Sequence, residues 1–132
     1  MNKKILCAFL LLLPVSIFAQ ATCDIVFTVV EQRPALKISS NDFKARLVQE
    51  LKSENFDFPK GEIVCWFVVT NEANIEQFSV KSGNLPNPDI LENSIKKFAG
   101  LWEPGKQNHQ TVCCYVKLKL QFVKEKLKLE IL

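Results

Sequence analysis

The stretch Thr111-Val-Cys-Cys-Tyr-Val-Lys-Leu-Lys-Leu-Gln-Phe122 alternates apolar with more polar side chains along its length. A period of two predicts a β-strand with one face on a core and the other toward solvent. The inward face is predicted to carry Val112, Cys114, Val116, Leu118, Leu120 and Phe122. The outward face is predicted to carry Cys113, Tyr115, Lys117, Lys119 and Gln121. We expect this segment to be the longest strand of the chain.

Two upstream segments predict a β-hairpin that pairs with this strand. Glu62–Thr70 is apolar on both faces, which is typical of a central strand covered on at least part of both sides. Residues 71–74 are turn formers, and Ile75–Lys81 alternates apolar with polar residues. Nearer the start, Asp24–Val30 is β-branched and aromatic, and Pro34 follows it. We therefore expect one further short strand before the hairpin.

The first predicted helix runs from Asn41 to Glu54. Ser39 with Asp42 three residues later resembles a capping box, and apolar residues then recur at helical spacing. The helix is expected to stop before Phe58-Pro59, because a proline disfavours the helical conformation of the residue before it.

The second predicted helix begins at Pro88, with Asn87 as its capping residue. Its apolar stripe consists of Leu91, Ile95 and Phe98. Gly100 is expected to close it. The alternating tail Val123–Leu132 is expected to continue the pairing or to add an edge strand. These elements together predict an α+β domain.

The run Trp102-Glu-Pro-Gly-Lys-Gln-Asn108, followed by the alternating strand, resembles the carboxy-terminal domain of TonB-like proteins. The structural motif of this resemblance is Trp102, Pro104 and Gly105. Further similar segments are Glu31-Gln32-x-Pro34, Phe58-Pro59, Gly61–Val69 and Ile75–Gly83. The sequence shows neither the uncleaved membrane anchor nor the Pro-rich spacer of that family's energy transducers. It is therefore identified as a divergent, stand-alone relative.

The resemblance implies a three-stranded antiparallel sheet with two helices on one face, with an extra edge strand at either end of the chain as an open option. The expected strand order is Ile75–Lys81, Glu62–Thr70, Thr111–Phe122. It also implies that the last strand pairs with an extended partner peptide, such as one from an outer-membrane receptor. The partner-binding edge would then be Val112–Phe122, with Tyr115, Lys117, Lys119 and Gln121 on it. Self-association, protection of the edge by its lysines and coverage by the tail are the alternatives.

The first residues predict a cleaved secretory signal. Two lysines precede the apolar run Ile5–Phe18, and the small residues Ala19-Gln20-Ala21 follow it. Cleavage is expected after residue 19 or after residue 21, leaving residues 20–132 as a single domain with a core of about 30–122 and a periplasmic or secreted location. The alternative is an uncleaved, membrane-tethered fragment of an energy transducer.

The charge balance argues against a nucleic-acid partner. The chain has 17 basic and 14 acidic residues, and loss of Lys3 and Lys4 with the signal leaves 15 basic residues against 14 acidic ones. A nucleic-acid-binding protein needs a concentrated basic face. No small-molecule substrate and no cofactor are predicted, because the sequence holds no Gly-rich phosphate loop and no Cys-x-x-Cys pair.

Four cysteines remain once Cys7 leaves with the signal, and an exported protein meets an oxidising compartment. On the arrangement that the resemblance implies, Cys65 and Cys114 share the helix-covered face, so they either pair or stay as buried thiols. A bridge from Cys113 to Cys23 requires that the first strand cover the other face.

No catalytic constellation emerges from the sequence. The single histidine, His109, lies in a predicted turn, and no carboxylate pair is predicted to be buried. The sequence therefore predicts a non-enzymatic protein-interaction module. The alternative from another class is a small secreted thiol-redox or other enzyme that uses the neighbouring Cys113 and Cys114.

Overall fold

The computed structural model describes residues 23–124 and 126–132. The predicted signal peptide and its cleavage sites lie outside the described residues. Within them, neither helix has the length and hydropathy that a bilayer crossing requires.

The elements follow one another as strand, strand, helix, hairpin, helix and then four strands. Their bounds are β1 Val26–Phe27, β2 Ala35–Leu36, α1 Ser40–Ser53, β3 Glu62–Val69, β4 Ile75–Ser82, α2 Pro88–Lys96, β5 Trp102–Glu103, β6 Gly105–Gln107, β7 Gln110–Val123 and β8 Lys126–Ile131. A 3-10 turn at Ala99–Leu101 links α2 to β5. The fold is mixed α+β.

The main sheet is built around β7. Its strand order is β1-β7-β3-β4, with β6 and β8 also paired to β7. Strands β3 and β7 run antiparallel from Glu62 opposite Gln121 to Val69 opposite Cys114. The hairpin β3–β4 and its position beside β7 agree with the predicted order. The sheet has six strands instead of three, because β1 and β8 near the two ends of the described chain and the short strand β6 just before β7 also pair with β7.

Both helices pack against the same face of this sheet. The sheet side of the core consists of alternate residues of β3, β7 and β8, namely Ile63, Cys65, Phe67, Val69, Val116, Leu118, Leu120, Phe122 and Leu127. The helix side consists of Phe43, Leu47 and Leu51 from α1 with Leu91 and Ile95 from α2. The alternation predicted for the long strand is thus confirmed from Cys114 to Phe122, whereas Cys113, predicted to face outward, is buried and Val112, predicted to face inward, is half-buried. We call the opposite surface, which carries Trp66, Tyr115, Lys117 and Lys119, the open face.

The second helix begins at Pro88 as predicted, and the first begins at Ser40, one residue before the predicted Asn41, but only the first has a capping hydrogen bond to a side chain. The Ser39 hydroxyl accepts a hydrogen bond from the Asp42 backbone N–H at 3.0 Å. Asn87 does occupy the position before α2, but its side chain makes no capping hydrogen bond, so that prediction is wrong. With Pro88 as the first helical residue, one of the free N–H groups of the first turn is already missing, which reduces the need for a cap. Gly100 lies in the 3-10 turn beyond the end of α2.

The amino-terminal strand is shorter than the predicted Asp24–Val30. Only Val26–Phe27 pairs, parallel to Cys113 and Cys114 of β7. Farther along the same edge of β7, the Leu132 N–H donates to the Lys117 carbonyl oxygen at 2.9 Å. This hydrogen bond lies on the part of the β7 edge that β1 would reach if it continued past Phe27. The chain after β1 instead leaves the edge, and Gln32 pairs with Lys106.

The Trp-x-Pro-Gly motif links the second helix to β7. Trp102 is fully buried, and its ring packs edge-on against two phenylalanine rings. The distances between ring centres are 6.0 Å to Phe43 and 5.6 Å to Phe67. Pro104 is half-buried, and the buried Gly105 begins β6. Trp102 therefore packs the segment that leads into β7 against both α1 and β3.

Three glycine-to-alanine variants test the turn at the end of β4. A Cβ at Gly83, where φ is +102°, would lie 2.4 Å from the Glu62 carbonyl oxygen. We expect Gly83→Ala to cost about 3 kcal/mol or more, because positive φ and a backbone clash act together. A Cβ at Gly61 would meet no atom, but φ there is +95°, so we expect Gly61→Ala to lower the free energy of unfolding by about 1 kcal/mol. Gly100→Ala meets neither obstacle and serves as the control. Urea unfolding measures the free energy of unfolding of all three variants. Equal losses would contradict the close contact between Gly83 and the Glu62 backbone.

Candidate strand-addition site

Most of the edge of β7 that faces away from β3 is already paired with other segments of this chain. β1 pairs with it at Cys113 and Cys114, and β8 pairs with it from Leu118 to Val123. The long strand reverses into β8 through a turn at Lys124, where φ is 51°. Most of the predicted partner-binding edge Val112–Phe122 is therefore covered, which is the alternative in which the tail folds back along it.

The four residues predicted at that edge lie on the open face, which is the outward face predicted for them. Tyr115, Lys117, Lys119 and Gln121 are all half-buried. The Lys119 ammonium lies between the carboxylates of Glu62 at 3.7 Å and Glu130 at 3.8 Å. The Tyr115 and Lys117 side chains lie next to Trp66, with Tyr115 in an edge contact at 5.8 Å. These side chains thus belong to the surface of the sheet.

The outer edge of β8 is unpaired among the described residues. The Leu132 N–H donates to the Lys117 carbonyl oxygen, and the antiparallel register places these two residues opposite each other. Because backbone groups alternate in direction along a strand, the even-numbered residues of β8 also point their N–H and C=O groups at β7. The backbone N–H and C=O of Leu127, Leu129 and Ile131 must then point outward. These positions form a regular edge, because the register shows six successive pairs.

A recess lies between this edge and α1, and we call it the β8 recess. It has a volume of about 320 Å³. Its lining residues are Lys44, Ala45, Val48, Lys126 and Leu127. Its floor is apolar, and both charged residues among its lining are lysines. The edge and the recess together can take a strand whose alternate side chains enter the recess.

The outer edge of β4 is also unpaired among the described residues, but it is irregular. Its register with β3 shifts between Val64 and Cys65 and again between Trp66 and Val68. Gln77 has a φ of 54°. Bulges of this kind twist an edge away from further pairing. Of the two edges, β8 is the better receiver of a strand.

Of the four cysteines in the described residues, Cys23 and Cys113 form a disulfide, and their Cα atoms are 6.1 Å apart. Cys65 and Cys114 are free and buried. The alternative in which these two pair is wrong. They do share the helix-covered face, but Cys65 lies opposite Leu118 while Cys114 lies opposite Val69. Four residues of strand, or about 13 Å, separate them along the sheet.

Burial leaves the free thiols in the protonated form. Cys65 is fully buried, and this raises the pKa of its thiol to about 12. Burial also raises the pKa of Cys114, which is 2% exposed, and the nearby Arg33 charge lowers it by less. Cys113 is engaged with Cys23, so Cys113 and Cys114 do not form a vicinal dithiol. These features argue against the thiol-redox alternative, because reactive thiols have low pKa values and are accessible.

Alkylation and pH together test this picture on the chain from residue 20 onward. We expect no labelling of the native, oxidised protein at pH 8, two labels after denaturation and four after reduction. The folded state keeps the Cys65 proton up to about pH 12, while the unfolded chain loses it near 9.0. The free energy of unfolding is therefore expected to fall between about pH 9 and pH 12, by up to about 1.4 kcal/mol per pH unit. Cys65→Val should reduce the dependence of stability on pH above pH 9. Rapid labelling of the native protein would contradict the burial of Cys65 and Cys114.

No other chemical constellation appears in the described part of the chain. It contains no group of three or more metal-ligating side chains. His109 is exposed in the turn between β6 and β7, with a φ of 65°. Comparison with protein-family models, curated proteins and solved structures finds no match.

Sequence reasoning did not find the β8 recess. The alternation of the tail indicated a strand, but the contact of β8 with Lys44, Ala45 and Val48 depends on where α1 lies. No local signal in the tail carries that information.

Proposed function

We propose that this chain is exported, that its signal is removed and that its domain is a non-enzymatic protein-interaction module. In this proposal it binds an extended segment of a partner protein by strand addition at the outer edge of β8. The observation that carries it is the row of outward backbone groups at Leu127, Leu129 and Ile131 beside the β8 recess. Backbone pairing supplies affinity in this mode, and pockets for alternate side chains supply specificity.

The charge around the edge favours an acidic segment. Lys44 and Lys126 line the recess, and Lys128 is exposed on β8 itself. Complementary charge accelerates encounter and fixes the register of an added strand. Lysines also protect edges from uncontrolled pairing, so they select against neutral, aggregation-prone strands while they accept acidic ones.

We also propose that β4, β3 and β7 with the two helices correspond to the TonB carboxy-terminal arrangement, and that β1 and β8 are additions to it. The strand order and the shared helix-covered face support this correspondence. Under it, β8 takes the place of the family's last strand as the receiver of a partner peptide. A peptide from an outer-membrane transport system is the partner that the resemblance suggests.

Export is tested by the intact mass of the protein recovered from a periplasmic fraction. A chain that begins at Gln20 or Thr22 supports the proposal. A full-length chain in the membrane fraction overturns the export part of it.

Strand addition is tested with heptapeptides selected from a display library biased toward alternating Glu and Val or Thr. We expect the selected peptides to shift the amide resonances of Leu127, Leu129 and Ile131 in the isotope-labelled domain. Ile131→Pro removes one outward N–H without removing a bond to β7, and should weaken binding at least tenfold. Ile131→Ala keeps that N–H and is the matched control. Peptides that shift β4 instead, or that bind Ile131→Pro equally well, would overturn the assignment.

A further inference from the structure

A second recess, which we call the notch, opens where β7 lacks an edge partner. β1 ends opposite Cys114 and β8 begins its pairing at Leu118, so residues 115–117 of β7 have no strand partner on this edge, and the Leu132 N–H donates to the Lys117 carbonyl oxygen at its far end. The notch has a volume of about 390 Å³, within the range of small-molecule sites. Its lining residues are Thr28, Val29, Val30, Arg33, Pro34, Cys114, Tyr115, Lys117 and Leu132.

The charged side chains of the notch are cations. Arg33 and Lys117 line it, and its lining among the described residues includes no carboxylate side chain. The Arg33 guanidinium donates one hydrogen bond to the backbone oxygen of Leu132, which holds it at the rim. In the 132-residue chain this oxygen belongs to the terminal carboxylate, so one negative charge already lies beside the cations of the notch. A guanidinium has five N–H donors, so it keeps others for an anion.

A third cation reinforces the positive potential. The ammonium groups of Lys117 and Lys81 lie 4.3 Å and 5.3 Å from the centre of the Trp66 ring. Within the described part of the chain, neither lysine forms a salt bridge. Two like charges at one ring repel each other, and the ring face offsets only part of that cost. An anion beside Lys117 would relieve it.

Apart from Thr28, the rest of the notch is mostly apolar. Val30, Pro34 and the Tyr115 ring line it, and Val29 beside them is 82% exposed. A large apolar side chain so exposed next to two cations suits a ligand that has an apolar part and an anionic end.

We propose that the notch binds a small anionic amphiphile, with its carboxylate on Arg33 and Lys117 and its hydrocarbon part against Val29, Val30 and Pro34. The site is a recess, which admits a free molecule and does not present a protruding surface to a bilayer. It involves none of the outward groups of β8, so it stands apart from strand addition.

Titration with octanoate tests the proposal, with 1-octanol as the neutral analogue of the same chain length and acetate as the head group alone. We expect octanoate to shift the amide resonances of Val30, Arg33 and Tyr115 and to bind at least tenfold more tightly than either control. Arg33→Gln and Lys117→Gln should each weaken octanoate binding about fivefold to tenfold. Lys119→Gln is the matched control, because Lys119 lies on the same face of β7 outside the notch.

Equal binding of octanol and octanoate, or unchanged binding by Lys117→Gln, would overturn the site. Binding of the domain to phosphatidylglycerol vesicles without binding of free octanoate would also overturn it, since a bilayer surface would then be the ligand. Thermal unfolding of each variant checks that a loss of binding does not come from a loss of fold.

Discussion

Replacing Trp102 with alanine is expected to lower the free energy of unfolding by about 3–5 kcal/mol, because it opens a large cavity in the core. Trp102 is fully buried and contacts Phe43 on α1 and Phe67 on β3 through ring edges. The loss therefore weakens the contact between the first helix and the sheet as well as the local turn. Urea unfolding followed by circular dichroism measures it.

Trp102→Phe is the informative companion to that variant. The Trp102 indole N–H is buried and has no hydrogen-bond partner in the described structure. Phenylalanine removes this unsatisfied donor while it keeps an aromatic ring, so we expect a clearly smaller loss than for alanine. Trp66→Ala on the half-buried open face should cost about 1 kcal/mol. A Trp102→Ala loss no larger than that of Trp66→Ala would contradict the structure.

Removing the disulfide with the double variant Cys23→Ser/Cys113→Ser is expected to cost about 2–5 kcal/mol. The bridge joins residues 90 apart, so it closes most of the described chain into one loop and restricts the unfolded state. It also holds the segment before β1, whose pairing with β7 covers only two residues. The double variant avoids a single thiol at Cys23 or Cys113 that could exchange with Cys114.

Reduction of the unmutated protein provides the control for that variant. If the loss arises from the cross-link, the reduced protein and the double serine variant should have similar unfolding midpoints in urea. Hydrogen exchange should show faster exchange at Val26 and Phe27 in both. An oxidised protein no more stable than the reduced one would contradict a structural role for the bridge.

The elements that depend on neighbouring residues were predictable. The alternation of Thr111–Phe122 predicted the long strand and its two faces, and the Ser39–Asp42 pair predicted the start of α1. The double-sided apolar pattern of Glu62–Thr70 predicted a central strand, which β3 is. In each case the signal is a period or a cap read over a few residues, and burial of one face enforces it.

The errors concern contacts between segments far apart in the chain. The free edge of β7, the partner of Cys114 and the length of the first strand each depended on which segment reached β7 and in which register. Local alternation shows that Leu127, Leu129 and Ile131 belong to a strand. It does not specify which open strand edge this segment pairs with.

Residue pattern thus determined the secondary structure, the facing of the side chains and the mixed α+β class. Only the packed chain decided that β8 covers most of one edge of β7, that Cys23 bonds to Cys113 and that Arg33 and Lys117 line the same notch. Local preferences act through backbone sterics and one-sided burial over a few residues. Register and long-range pairing follow from the joint burial of all the elements at once, and no short segment encodes that alone.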